Sequence, residues 1–240
     1  MKKHQRKGIL LSCLAWATLL LPLFTTHLCF FISASYEHIP WCNPYWDQCV
    51  SISATGRQLP EKLIFKSGMI TTAFISLLLW WGAGQWCLLS FGDKFSRSRK
   101  AMQVLGLLAA LFLIQYTLAL GEAGNAYRML RRTGVILTIA FTFISQVLMT
   151  RFIGVMIQEQ GKRCLVRLHQ AMLTLLVVLL TTAMFSLVLD VMLGSAYKNI
   201  DDAFEWIMVL MLYLYFGLLA SVFHRQPLRL RVEPAGKDSM

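Results

Sequence analysis

The sequence predicts an all-α polytopic membrane protein with six transmembrane helices, and three observations predict it. Of 240 residues, 57% are hydrophobic and 15% charged, with mean hydropathy +0.58; a soluble domain carries about 25% charged residues. The apolar residues gather into six runs, at 9–33, 67–91, 101–120, 133–157, 171–193 and 204–223. Each is close to the ~20 residues that cross a ~30 Å hydrocarbon layer as helix. Finally, the runs do not alternate polar and apolar residues as barrel strands do, so helix is left as the structure that satisfies its own backbone in lipid. Residues 1–225 then form one six-helix membrane domain, and 226–240 a mobile cytoplasmic tail.

The first run starts after Lys2, Lys3, Arg6 and Lys7. Its apolar core is longer than the 7–15 residues of a signal peptide, so it is expected to be a retained helix. Pro22 is tolerated there because neighbouring groups re-satisfy the freed carbonyl, and a kink is expected. His27 falls in its outer third. The second run carries Trp80, Trp81 and Trp86, expected as an interfacial belt with some packing. Its Gly82-x-Gly84 permits close helix approach. The third run holds Gln103 and Gln115 and ends in Gly121-Glu122. The fourth holds Gln146 and ends near Arg151, which can snorkel to the surface. The fifth is almost featureless until Asp190. The sixth opens Asp201-Asp202-Ala203-Phe204-Glu205-Trp206. Asp202-x-x-Glu205 fits a capping box, with Asp202 as cap; Glu205 reads equally as a cap partner or a functional carboxylate.

Charge sets the orientation. Lys94, Arg97, Arg99 and Lys100 lie between runs two and three, Lys162, Arg163 and Arg167 between four and five, and Arg225, Arg229 and Arg231 after six. With six crossings all fall on the side of the N-terminus, and the positive-inside rule puts both termini in the cytoplasm. Arg128, Arg131 and Arg132 are the exception, in an outer loop. The net charge of +11 is absorbed by orientation and anionic headgroups, so the expected partners are membrane lipids, and no nucleic-acid partner is implied.

The first outer loop is the longest, and residues 41–61 read W-C-N-P-Y-W-D-Q-C-V-S-I-S-A-T-G-R-Q-L-P-E. Cys42 and Cys49 are seven positions apart around Pro44, in a compartment that permits disulfides. No further ligand pair at zinc spacing accompanies them, and a disulfide is expected, with no metal or other cofactor. Cys13, Cys29, Cys87 and Cys164 read as small apolar residues or inert thiols. S-I-S-A-T-G has two readings. Hydroxyls bonding nearby backbone, with Gly56 at positive φ, make it a tight turn; alternatively it is a binding loop.

The stretch from Val50 to Gly56, followed by Pro60-Glu61, resembles the first-loop signature of a membrane family. That family groups damage-regulated autophagy modulators, GPI-anchor lipid-remodelling factors and fungal cell-wall biogenesis proteins. Ser51, Ser53, Thr55, Gly56, Pro60 and Glu61 carry the match, as candidate binding residues. Val50 stands for the common proline and Ala54 for the aspartate of the autophagy-modulator branch. Phe204-Glu205-Trp206 is similar to the family's E-W at the last helix. The resemblance implies six helices with cytoplasmic termini and work on lipids or lipid anchors.

His27, Glu122, Asp190 and Glu205 each fall near an outer helix end. Ionisable groups there usually face the bundle interior, and a His with carboxylates can do acid–base work on an ester. They are the candidate catalytic residues, expected in a polar pocket beneath the loop; the alternative is that each acid sits in headgroup water. No G-x-S-x-G elbow is present, which leaves enzyme activity open. Lipid or lipid-anchor remodelling at the outer leaflet is the first function expected. A non-enzymatic membrane scaffold is the second, and a proton- or solute-coupled transporter the third. The chain has no N-x-S/T sequon, which favours a bacterial inner membrane over an endomembrane.

Overall fold

The structure is a computed structural model that describes residues 2–226; the expected tail, apart from Gln226, lies outside the described residues. The helices are α1 (Lys2–Ser35), α2 (Glu61–Phe91), α3 (Ser96–Ala119), α4 (Asn125–Gln160), α5 (Val166–Leu193) and α6 (Asp201–Arg225). Short 3₁₀ turns lie at Ala54–Gly56, Arg163–Leu165 and Gly194–Asn199. Among the described residues, six helices are long and apolar enough to cross a membrane. The chain is an integral multi-pass membrane protein.

Several helices outrun their apolar segments. α4 has 36 residues, about 54 Å at ~1.5 Å per residue, and α2 begins at Glu61. Hydropathy marks only the hydrocarbon crossing, while helical hydrogen bonding continues into the headgroup zone. The first loop therefore shortens to residues 36–60.

Successive helices run up and down. At one end, the Trp86 indole donates to Gln226 O at 3.4 Å, Lys94 meets Glu159 at 2.5 Å and Gln160 donates to Ser90 O at 3.0 Å. Arg225 there donates to Cys164 O at 3.2 Å. These contacts gather the α2–α3 and α4–α5 connections and the end of α6. The first loop and the α3–α4 and α5–α6 connections lie at the other end, called here the loop end.

α1 packs between α2 and α6, and α3 between α2 and α4. α5 is peripheral: 22% of its apolar window is buried, against 50% in α1 and α6. One core cluster, around Trp80, Met149, Ile153, Tyr215 and Phe216, fills the half away from the loop; another, around Phe30, Ile52, Phe65, Leu113 and Trp206, fills the loop end. Polar ties bind helices inside the first. Thr150 and Tyr215 hydroxyls converge on Gln146 O, at 2.9 and 2.8 Å, and the Gln146 amide donates to Leu212 O at 2.8 Å. Such bonds compensate groups that lipid cannot solvate.

Two sequence expectations change. Trp80 and Trp86 are core side chains, edge-on to Phe216 and Phe223, and only Trp81 of that trio faces outward, 61% exposed. The small residue at Gly84 makes room for the Gln103 side chain, which would lie 2.2 Å from an added Cβ. Asp202 is not a cap. α6 starts two residues earlier, with Ile200 at the N-cap and no side-chain cap bond, because the 3₁₀ turn at Gly194–Asn199 feeds directly into the helix and leaves no extended residue for a capping side chain.

Candidate functional site at the loop end

The first loop is folded onto the helices by its own short-range chemistry. Cys42 and Cys49 are joined, with Cα atoms 6.6 Å apart. Inside that ring Asn43 N–H donates to Asp47 Oδ2 at 2.7 Å, and Tyr45 N–H to Asn43 Oδ1 at 3.1 Å. This local turn chemistry aims Tyr45 down at α1. Its hydroxyl lies 3.0 Å from His27 Nε2, and His27 Nδ1 lies 2.7 Å from Leu23 O. A backbone carbonyl only accepts, so Nδ1 carries a proton. In the neutral ring, Nε2 then accepts from Tyr45. Burial pushes the Tyr45 phenol above its ordinary 10.0, which keeps it a donor. Trp206 stands edge-on to both rings, with centroids 5.4 Å from His27 and 5.5 Å from Tyr45.

The next stretch is gripped by the start of α6. The Trp206 indole, 2% exposed, donates to Val50 O at 2.8 Å, and Ile52 lines one small inner cavity with Glu205. Two short motifs about 150 positions apart thus meet through adjacent residues. Ser51 and Ser53 hydroxyls pair at 3.1 Å, Arg57 donates to Ser53 Oγ at 2.8 Å and Thr55 to Ile52 O at 2.8 Å. Gly56 does not adopt positive φ, contrary to the turn expected there. Its small size matters instead: an added Cβ would lie 2.5 Å from the Phe65 ring, so the 3₁₀ turn can press onto α2. Pro60 is the N-cap of α2. Glu61 is fully buried; its Oε1 accepts from His38 Nδ1 at 2.7 Å, and its Oε2 has no partner.

The four candidate catalytic residues divide. Glu122 is a clasp on another face: Lys62 and Lys66 reach its Oε1 at 2.9 and 3.1 Å and hold its carboxyl below the ordinary 4.5. It does not join the others. Asp190 and Glu205 do come together, lining a cavity of about 650 Å³ between α4, α5 and α6 with Ser186, Tyr197, Asp201 and Asp202. His27 sits on the opposite side of the α6 start, against Trp206 rather than Glu205. Glu205 also lines a smaller inner cavity of about 40 Å³ with Thr26, Thr138, Tyr116 and Tyr213. The buried Tyr116 hydroxyl has no partner.

Sequence reasoning passed over Tyr45, His38, Tyr116 and Tyr197. His38 and Tyr45 lay in the loop under view, but nothing in their spacing announces Glu61 or His27 as partners. Tyr116 sits in an unbroken apolar run and carries no local signal.

The match to known proteins bears on the same two motifs. The family described as the Frag1/DRAM/Sfk1/Cwh43P N-terminal domain matches residues 10–224. The chain belongs to this family. No curated protein and no solved structure gave a match. The match runs from α1 to the end of α6, so the Val50–Gly56 stretch and Phe204–Trp206 both lie inside the family domain.

Proposed function

We propose that the protein handles membrane lipids, admitting a lipid sideways between α4, α5 and α6 and holding its polar end beneath the first loop. One observation carries this reading: the 650 Å³ cavity is walled by apolar residues of three helices and bounded at one end by Asp190, Asp201, Asp202 and Glu205. An acyl chain fits the apolar part and a headgroup the polar end. Ligand sites of this kind are concave and mostly apolar, with few convergent polar groups. The loose seating of α5 gives the side opening. Trp41 and Trp46 are exposed on the loop, where amphipathic rings favour the headgroup layer.

The family resemblance to lipid-anchor remodelling supports the same class of work. In this reading the loop end faces the outer side of the membrane and the basic connections face the cytoplasm, by the positive-inside rule. Glu205 borders the place where the headgroup rests, and on the other face of the α6 start His27, held in one tautomer by the Leu23 carbonyl, ties the loop through Tyr45. The test is reconstitution with lipids carrying a photoreactive group in the acyl chain, followed by peptide mapping. Adducts concentrated on Val135–Phe143 and Leu179–Leu187 are expected. Adducts spread evenly around all six helices would instead describe ordinary annular lipid and sink the proposal. Lipidomics of a deletion strain then separates remodelling from scaffolding, since only remodelling shifts acyl-chain composition.

A further inference from the structure

We infer that the lipid taken by this groove carries a primary ammonium in its headgroup, as phosphoethanolamine lipids do, with the ammonium held by Asp202 and Glu205. The inference rests on the lateral lipid entry proposed above and names the headgroup for it. Charge complementarity is the first ground. Four carboxylates, Asp190, Asp201, Asp202 and Glu205, line the polar end of the cavity, and among the described residues none of them forms an ion pair. Carboxylates gathered at a membrane surface favour a cation in low dielectric. The second ground is independent of the acids. The Tyr116 hydroxyl, 4% exposed, has no partner and lines the inner cavity that Glu205 also lines. A buried polar group without a partner is uncommon and calls for one.

The headgroup must be a hydrogen-bond donor rather than a quaternary cation. Quaternary ammonium groups are held by cages of aromatic faces, whereas the polar end here offers carboxylate oxygens, which accept N–H bonds. Its aromatic residue, Tyr197, is engaged with Ser186. Arg57 lies on the loop, its guanidinium donating to Ser53 Oγ at 2.8 Å.

The experiment is native mass spectrometry of the full chain in detergent, titrated with ethanolamine, choline and glycerol phospholipids of identical acyl chains. Retention of the ethanolamine lipid roughly tenfold above the other two is expected, equivalent to about 1.4 kcal/mol. Asp202→Asn with Glu205→Gln should bring the three lipids level while the protein stays monodisperse. If the double variant does not fold, Asp202→Asn alone carries the comparison, because Asp202 is partly exposed. Equal retention of all three lipids by the wild type overturns the headgroup assignment and leaves lateral entry standing. Ala183→Trp, placed in the apolar part of the cavity, should lower retention of every lipid; no change there removes lateral entry and this inference with it. Competition by free O-phosphoethanolamine as strong as by the lipid would identify a soluble ligand and overturn the lipid assignment.

Discussion

At the scale of single residues, the loop is held by contacts that tolerate little change. Trp206 fills the loop-end core and donates to Val50 O. Trp206→Phe keeps most of the ring but leaves that carbonyl without its donor, an expected loss of about 1–3 kcal/mol. Gly56→Ala drives a methyl into Phe65 and is expected to cost roughly 1–3 kcal/mol through overpacking. Thermal unfolding in detergent reads both. A Trp206→Phe protein that melts with the wild type would show that the indole bond does not anchor the loop. The buried Glu61 has a different sensitivity, because His38 meets only one of its oxygens. His38→Ala should destabilise more than Glu61→Gln, since removing one partner strands the other in a buried place whereas an amide retains hydrogen-bonding capacity.

At the scale of elements, two staples hold the loop end. The first is the Cys42–Cys49 disulfide, which sets the ring that aims Tyr45. With the loop outside, an impermeant thiol reagent applied to intact cells should label neither cysteine until a reductant is added. Labelling without reductant contradicts the bridge, and labelling from the cytoplasmic side alone inverts the proposed orientation. The second staple is the α2 to α3–α4 clasp, where Lys62 and Lys66 share Glu122 and Arg131 donates to Ala119 O and Glu122 O at 3.1 and 2.9 Å. Arg131 thereby covers orphan carbonyls at the end of α3, where a cation is favoured. In the proposed orientation, that accounts for an arginine on the side where the charge rule expects few. Because the folded Glu122 carboxyl is held below its ordinary 4.5, its contribution to stability is complete above that value. It is lost as pH falls through the lower, folded value. The difference in melting temperature between wild type and Glu122→Gln should therefore be constant near neutral pH, shrink in acid and shrink also in high salt, since the group is exposed. A difference that grows on acidification would contradict the clasp.

At the scale of the whole molecule, the arrangement is a ring of helices tight on the α1–α2–α3 side and loose at α5. Tight packing there seats the loop on α1, α2 and α6, while the loose side leaves the cavity between α4, α5 and α6. In the proposed function the two sides meet at the start of α6, where Trp206 faces His27 and Glu205 faces the cavity. His27→Ala and Glu205→Gln are each expected to abolish complementation of a deletion strain without lowering expression. Glu122→Gln, on its separate face, should retain function. If His27→Ala and Glu205→Gln, singly and together, complement fully, neither group takes part in the work of the protein.

The number and type of helices were legible because a lipid-crossing segment must be long, apolar and internally hydrogen-bonded, and each condition is visible in local sequence. The Cys42–Cys49 pair was legible for a similar reason: both cysteines lie close together in one loop. The family was legible through Val50–Gly56, Pro60-Glu61 and Phe204–Trp206, which are short contiguous strings. The partnerships were not. Nothing local tells that Trp206 reaches Val50, that Glu61 meets His38, or that Glu122 turns to two lysines while Asp190 and Glu205 share a cavity. Sequence placed four ionisable groups at one depth by counting residues from helix ends, and depth is one coordinate. The rotation of each helix about its axis and the order of helices around the bundle supply the others. Those follow from how side chains such as Trp80, Phe65 and Trp206 pack against neighbours distant in the chain, so only the tertiary structure could decide which groups share a site.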